Sequence, residues 1–267
     1  MYLEYWGFKK FPFENVPDPN FMYYSPEHEE ALARFLYVVK ANKGMVMLTG
    51  EIGSGKTTLS RVLIQQLSDI KFDVALMTNP ILEPMDFLRE ILYNLGVNFD
   101  KDKNLHKSDY LNMLYEKILE NVRNSKATLL IFDEAHLIPN KTFEEIRLLL
   151  NFQLNDKFML TIILLGQPEL RSIIKNMKQL DQRVAIRYHL NPLSYNETLR
   201  YVVFRFKKAG LTRNIITRQA VDEIYIHSEG LPRLINNICD MSLMTGFISK
   251  ARIIDSRIVK EAIRDSG

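Results

Sequence analysis

The sequence is short of cysteine, of long apolar runs and of net charge. Its one cysteine, Cys239, can form no disulfide within the chain, which excludes a disulfide-stapled secreted fold. No apolar run approaches the ~18 residues that a membrane-spanning helix needs, and the first residues mix aromatic and charged side chains, unlike a signal peptide. The 35 basic and 32 acidic side chains leave a net charge of +3, which neither requires nor excludes a nucleic-acid partner. We therefore expect a soluble, cytoplasmic protein with no membrane span.

The most informative stretch is Gly50 to Thr57, which reads Gly-Glu-Ile-Gly-Ser-Gly-Lys-Thr. An apolar run at 45–48 precedes it and a helical pattern at 58–67 follows. A strand, a glycine loop and a helix in this order form the phosphate cradle of nucleoside triphosphatases. We predict that Lys56 reaches the β- and γ-phosphates of ATP and that Thr57 holds Mg²⁺. The residues expected to contact nucleotide are Gly50, Glu51, Ile52, Gly53, Ser54, Gly55, Lys56, Thr57 and Thr58.

A second motif places two acids directly after an apolar strand. The run at 129–132 ends in Asp133 and Glu134. At the carboxyl end of a strand, Asp133 is suited to hold Mg²⁺ and Glu134 to act as general base for attack on the γ-phosphate. The sequence Asp-Glu-Ala-His also matches a helicase motif, but such helicases need two motor domains and this chain has room for one. We therefore interpret His136 as an incidental neighbour.

The order of apolar segments predicts an α/β fold. Strands are expected at 45–48, 72–77, 128–132, 159–165 and 187–190, with helices between them, and a polar surface loop is expected at 100–106. This alternation predicts a three-layer P-loop core with a parallel five-stranded sheet over residues 1–190. Residues 1–24, rich in aromatics and proline, are expected to form an irregular arm. Four helical stretches without intervening strands predict a small all-helical lid over residues 191–267.

Several motifs together resemble the AAA+ ATPases, and most closely the ExeA/GspA type of general secretion and pilus systems. The resemblance covers nearly the whole chain. In addition to the phosphate loop, the resemblance rests on three motifs: Gly-Gln-Pro-Glu-Leu at 166–170, Gln-Arg-Val at 182–184 and Gly-Leu-Pro-Arg at 230–233. AAA+ regulators of DNA transposition are similar as well.

The resemblance implies further roles for single residues. Gln167 falls where these ATPases place a polar sensor of the γ-phosphate, although a helix-capping amide is the alternative. Asn79 is implied as the polar switch that restrains Glu134. Arg183, or second Arg187, is implied to reach the nucleotide of a neighbouring subunit, unless both are ordinary surface arginines. Arg233 resembles the sensor arginine of the lid.

The resemblance also implies partners. An arginine acting in trans implies a homo-oligomer, a ring or filament, that drives assembly or remodelling of a secretion or type IV pilus machine. Members devoted to secretin assembly commonly continue into a membrane span and a periplasmic domain, whereas this sequence ends after the lid. That ending favours a soluble ATPase serving a pilus operon, or a regulator that binds double-stranded DNA and recruits a transposase.

Two surface questions stay open at this stage. Phe8, Phe11 and Phe13 either cover the adenine or attach the arm to the core. Basic side chains at 171–187 and 200–218 either face DNA phosphates or are solvated; they are Arg171, Lys175, Lys178, Arg183, Arg200, Arg205, Lys207, Lys208, Arg213 and Arg218.

Overall fold

A computed structural model describes residues 2–67, 72–99, 105–154 and 157–266 of the protein. The chain divides into two compact units. The first comprises Met1–Glu27, Glu51–Thr58 and Asn191–Gly267, and the second comprises His28–Gly50 and Leu59–Leu190. The polar loop expected at 100–106 lies outside the described residues over 100–104.

The second unit is built on a parallel sheet with five strands among the described residues. In chain order they are β1 (Met45–Gly50), β2 (Phe72–Met77), β3 (Ala127–Phe132), β4 (Leu160–Gly166) and β5 (Val184–Leu190). They lie side by side in the order β2-β3-β4-β1-β5, and every pairing is parallel. All residues of β1 and β4 are buried, which is why these strands appear in the sequence as unbroken apolar runs. The predicted α/β core with its five-stranded parallel sheet is confirmed.

Twelve α-helices lie in the described parts of the chain. They are α1 (Tyr2–Trp6), α2 (Pro26–Lys40), α3 (Lys56–Leu67), α4 (Pro84–Asn94), α5 (Lys107–Arg123), α6 (Asn140–Leu149), α7 (Glu169–Asn176), α8 (Lys178–Asp181), α9 (Tyr195–Lys208), α10 (Arg218–Ser228), α11 (Pro232–Ile248) and α12 (Ser256–Ser266). Short 3₁₀ turns form at Pro19–Phe21 and Ala135–Leu137.

Local signals in the sequence explain several helix starts. Pro84 and Pro232 stand in the first turn of α4 and α11, where a missing N–H costs nothing. The Ser194 hydroxyl accepts a hydrogen bond from the Glu197 N–H, and the Glu197 carboxylate accepts one from the Ser194 N–H. This capping box begins α9.

The parallel strands of the second unit end at one edge of the sheet. Thr49 of β1 is paired with Gly166 of β4, and Phe132 of β3 with Leu164. Gly50, Asp133 and Gln167 therefore stand at the same edge, where open α/β sheets bind their ligands.

The fifth strand is longer than the sequence predicts. It begins at Val184 instead of Arg187, so Arg187 lies in the middle of β5 and not at its start. The strand is at the edge of the sheet, and only its two end residues, Val184 and Leu190, are buried. An edge strand of this kind lacks the apolar run that reveals a central strand.

The first unit joins the arm, residues 1–24, to the lid helices. A shared apolar cluster contains Trp6, Phe8 and Phe13 of the arm together with Val202 and Phe206 of α9. The expectation of a wholly irregular arm is wrong for Tyr2–Trp6, which form α1. The first proline is Pro12, so nothing in the first six residues opposes a helix. The boundary at 190/191 stays a prediction.

Candidate active site

The phosphate loop adopts a backbone that L-residues rarely adopt. Gly53 has φ +80° and Gly55 has φ +102°, and α3 begins directly afterwards at Lys56. The first N–H groups of a helix have no partner within the helix and attract anions. Lys56 is buried, and its Nζ donates a hydrogen bond to the Glu51 carbonyl oxygen at 2.9 Å. A compact loop with a cation folded against it fits a phosphate chain.

The other predicted loop residues differ in exposure. Ser54 is buried, Thr57 and Thr58 are half-buried, and Ile52 is 55% exposed.

Arg233 of the lid lies against the phosphate loop, and both belong to the first unit. Its backbone N–H donates to the Gly53 carbonyl oxygen at 3.3 Å. A Cβ built on Gly53 would lie 2.4 Å from the Arg233 Cβ, closer than real Cβ atoms approach one another. Gly53 is therefore required both for its backbone conformation and for this contact. The predicted nucleotide residues Gly53 and Arg233 are brought together.

The acidic pair follows β3 in the second unit. Asp133 is 3% exposed; its N–H donates to the Met77 carbonyl oxygen at 2.9 Å, and its Oδ1 accepts from the Glu134 N–H at 3.0 Å. Glu134 has φ 51° and ψ 37°, the left-handed conformation, which costs a non-glycine residue about 1–2 kcal/mol. Strain of this size concentrates at functional positions.

His136 contacts both Glu134 and the segment after β4. Its side chain is 11% exposed, and its Nδ1 lies 3.5 Å from the Glu134 Oε2. The same nitrogen lies 3.4 Å from the backbone nitrogen of Gln167. Sequence reasoning dismissed this residue, and only its motif position could have drawn attention to it.

Gln167 and Asn79 also follow the ends of strands, β4 and β2 respectively. Gln167 is half-buried, and over the described ranges its side-chain amide forms no hydrogen bond, so it does not cap α7. Asn79 is exposed. Within the described residues no hydrogen bond joins Asn79 to Glu134, and the switch role of Asn79 stays a prediction.

The two candidate arginines are held by their own chain. Arg183 donates to the Leu150 carbonyl oxygen and to Asn151 Oδ1, both at 2.9 Å. Arg187 pairs with Asp181 at 2.7 Å, and both side chains of that pair are more than a third exposed. An exposed ion pair of this kind contributes about 0–1 kcal/mol, so it restrains Arg187 weakly.

The arm phenylalanines pack within the first unit. Phe8 and Phe13 are buried, with ring centroids 5.5 and 5.4 Å from that of Phe206. Phe11 packs edge-on against Tyr2 at 5.7 Å. These contacts within the first unit favour the packing interpretation, with the lid helices as the partner of Phe8 and Phe13.

The predicted basic surface is wrong for Arg205, which is buried. Its guanidinium donates to the Pro12 and Glu14 carbonyl oxygens and lies 4.9 Å from the centroid of the Phe21 ring. On the same helix, Arg200, Lys207 and Lys208 are exposed.

Fold and site together define a class of protein. A parallel sheet carries a Gly-Lys-Thr loop after β1, an acidic pair after β3, and β4 between those two strands. This arrangement is a P-loop α/β nucleotide-binding core.

The family follows from comparison with known proteins. A family model described as an AAA domain matches residues 39–174, and the chain belongs to this AAA family, whose members bind nucleotide. General secretion pathway protein A of Aeromonas hydrophila is 39% identical over 250 residues. The match covers 92% of this chain and 45% of that protein, so the chain spans less than half of the relative's length. The resemblance to the ExeA/GspA type is confirmed.

Solved structures share the fold at low identity. Cdc6p of Pyrobaculum aerophilum superposes with a TM-score of 0.74 at 17% identity, covering 93% of this chain and 70% of that one. The RuvB Holliday junction branch migration motor of Thermotoga maritima gives a TM-score of 0.59 at 19% identity, covering 88% and 68%. Identities this low show the fold alone.

Among the described residues, no helix is long and apolar enough to cross a membrane. Likewise, no three His, Cys, Asp or Glu side chains in these ranges cluster as ligands for a metal ion.

Proposed function

We propose that this protein binds and hydrolyses ATP with Mg²⁺ as a cytoplasmic homo-oligomer, and that hydrolysis drives assembly or remodelling of a secretion or type IV pilus machine. The main support for an ATP site is the conformation of the phosphate loop. Gly53 and Gly55 have positive φ, and the buried Lys56 is folded against the loop. The relative named for the general secretion pathway supports the biological role.

The residues of the phosphate loop hold the substrate in this proposal. Lys56 exchanges the Glu51 carbonyl oxygen for the β- and γ-phosphates, because a phosphate oxygen is the stronger acceptor for an ammonium group. Gly50, Gly53, Gly55 and the first N–H groups of α3 approach the phosphate oxygens. Arg233 contacts the nucleotide from the lid.

The acidic residues and their neighbours support the chemistry. Thr57 and Asp133 supply oxygen ligands of the kind Mg²⁺ prefers, and the ion neutralises phosphate charge when bound. Glu134 orients and deprotonates the attacking water, and Gln167 senses the γ-phosphate. Because the Asp133 carboxylate is fixed by the Glu134 N–H, it needs little rearrangement to serve as a ligand.

The oligomer is proposed because the resemblance to AAA+ ATPases implies an arginine that reaches the nucleotide of a neighbouring subunit. Arg183, or second Arg187, would complete the site of a neighbouring subunit, since a planar, permanently charged guanidinium neutralises charge on the transferred phosphoryl group. Either arginine must first leave its present acceptors, which are Leu150 and Asn151 for Arg183 and Asp181 for Arg187.

Nucleotide titration of matched lysine variants tests the ATP site. Lys56→Ala removes the buried ammonium group, whereas Lys43→Ala removes an exposed one. The loss of a charge-assisted hydrogen bond worth about 1.5–3 kcal/mol corresponds to roughly ten- to hundredfold weaker binding. Lys43→Ala should bind a fluorescent ATP analogue as the wild type does. Equal affinities for all three proteins would refute the assignment of the loop.

A second candidate function is ATP-dependent binding of double-stranded DNA by a regulator that recruits a transposase. The exposed Arg200, Lys207 and Lys208 of α9 favour it, although the buried Arg205 leaves this surface smaller than the sequence predicts. Binding to DNA phosphates would weaken steeply with salt, and charge reversal at Lys207 and Lys208 would flatten that dependence. If fluorescence anisotropy detects no binding to a labelled duplex with ATP at physiological salt, this candidate is excluded.

A further inference from the structure

His136 occupies a position between two groups that the proposed hydrolysis uses. Its Nδ1 faces the carboxylate of Glu134 at 3.5 Å and the backbone N–H of Gln167, whose nitrogen is 3.4 Å away. Both separations exceed the usual 2.7–3.2 Å of an N–H···O hydrogen bond, or its N–H···N equivalent. A small displacement of the ring would therefore complete one of these bonds at the expense of the other.

The two neighbours make opposite demands on that nitrogen. The Gln167 N–H can only donate, so it requires a bare lone pair on Nδ1. The Glu134 carboxylate can only accept, so it requires a hydrogen on Nδ1. One ring nitrogen cannot satisfy both at once. The ring thus has two exclusive partners, one on the segment after β3 and one on the segment after β4.

The surroundings of His136 restrict how the ring can move. Its side chain is almost buried, and a Cβ on Gly166 would lie 3.3 Å from the His136 backbone nitrogen. The backbone of the 3₁₀ turn therefore packs closely against the end of β4. The Glu134 side chain, by contrast, is 42% exposed and can change rotamer.

We propose that His136 is a positioning residue that couples Gln167 to Glu134. When the Gln167 N–H donates to the lone pair of Nδ1, this nitrogen cannot donate a hydrogen bond to the Glu134 carboxylate. When Gln167 moves away, exchange with water replaces the hydrogen on Nε2 by one on Nδ1. The Nδ1–H then donates a hydrogen bond to the Glu134 carboxylate, which holds the orientation needed to activate water. The inference rests on the proposed ATP hydrolysis and assigns to His136 the switching role that the resemblance implied for Asn79.

Two amide substitutions separate this role from simple packing. The asparagine amide reaches about as far as Nδ1 and can either accept or donate, whereas the glutamine amide extends towards the position of Nε2. His136→Asn should keep kcat within about threefold of the wild type, and His136→Gln should lower it about tenfold, because a misplaced catalytic group reacts slowly. Neither change should alter the dissociation constant for ATP by more than about twofold. His227→Gln, on the surface of α10, is the control for the substitution itself.

The experiment measures kcat by phosphate release and ATP affinity by titration for wild type, His136→Asn, His136→Gln, His227→Gln and Glu134→Gln. If Glu134→Gln turns over at the wild-type rate, the proposed function of Glu134 fails, independently of His136. If turnover depends on Glu134 but His136→Gln stays within twofold of the wild type, the coupling role is refuted. Equal losses in His136→Asn and His136→Gln would also refute it, because they would indicate a packing role. Loss in His136→Gln alone, with ATP affinity retained, supports the proposal.

Discussion

Arg205 is expected to be the main polar attachment of the arm to the lid. Its guanidinium donates to two arm carbonyl oxygens, those of Pro12 and Glu14, and also contacts Tyr201 Oη at 3.3 Å. The residue is 6% exposed, so water cannot readily replace these bonds. Arg205→Ala should therefore destabilise the first unit and release the arm.

The magnitude follows from the bonds that are lost. Hydrogen bonds from a charged group contribute about 1.5–3 kcal/mol each, so losing the two to carbonyl oxygens should cost about 3–6 kcal/mol. Arg205→Lys should fall between wild type and alanine, because one ammonium group cannot match the fork of a guanidinium. For an m-value of about 2 kcal/mol/M in urea, a loss of 3 kcal/mol lowers the unfolding midpoint by about 1.5 M.

The fluorescence of Trp6 provides the assay. It is the one tryptophan of the chain; it lies 1% exposed in α1, and its indole donates to the Leu243 carbonyl oxygen. Its emission therefore reports unfolding of the first unit. Arg200→Ala, exposed on the same helix, is the control and should leave the midpoint nearly unchanged. A midpoint for Arg205→Ala equal to that of Arg200→Ala would refute this reasoning.

Two further predictions concern the nucleotide site. Gly53→Ala and Gly96→Ala both place a side chain at positive φ, but only the new Cβ at Gly53 meets Arg233, whereas that at Gly96 meets nothing within 4 Å. Of the two variants, only Gly53→Ala should bind ATP more weakly than the wild type, by about tenfold or more in a titration. If Gly53→Ala and Gly96→Ala bind ATP equally well, the contact between Gly53 and Arg233 does not matter for nucleotide binding. Arg183→Ala should bind ATP normally and hydrolyse it slowly, and mixing it with Glu134→Gln should restore part of the activity through interfaces that pair intact Glu134 with intact Arg183. A rate that is independent of protein concentration, and unchanged in Arg183→Ala, would exclude a shared site.

The phosphate loop and the acidic pair could be read from sequence because their signals are local. Gly53, Gly55 and Lys56 lie within one short motif, and Asp133 follows directly on a buried strand. The residue types and spacings that such chemistry needs are visible without any knowledge of the fold.

Other features could not be read because they depend on contacts between distant segments. The Nδ1 of His136 meets Gln167, 31 residues away, and Arg205 bonds arm carbonyls more than 190 residues away. No periodicity encodes such pairs, and an arginine on an amphipathic helix is by default expected on the surface. The left-handed backbone of Glu134 is equally invisible, since that conformation is imposed by the surrounding structure.

The central claim is that Glu134 activates water for ATP hydrolysis while other residues hold the nucleotide. The most direct measurement is the steady-state rate of phosphate release by Glu134→Gln, with ATP affinity measured on the same sample. The amide fills the space of the carboxylate but is a very poor base, so the rate should fall by about a hundredfold or more at unchanged affinity. Glu116→Gln, exposed on α5, should behave as the wild type. Hydrolysis by Glu134→Gln at the wild-type rate would contradict the account.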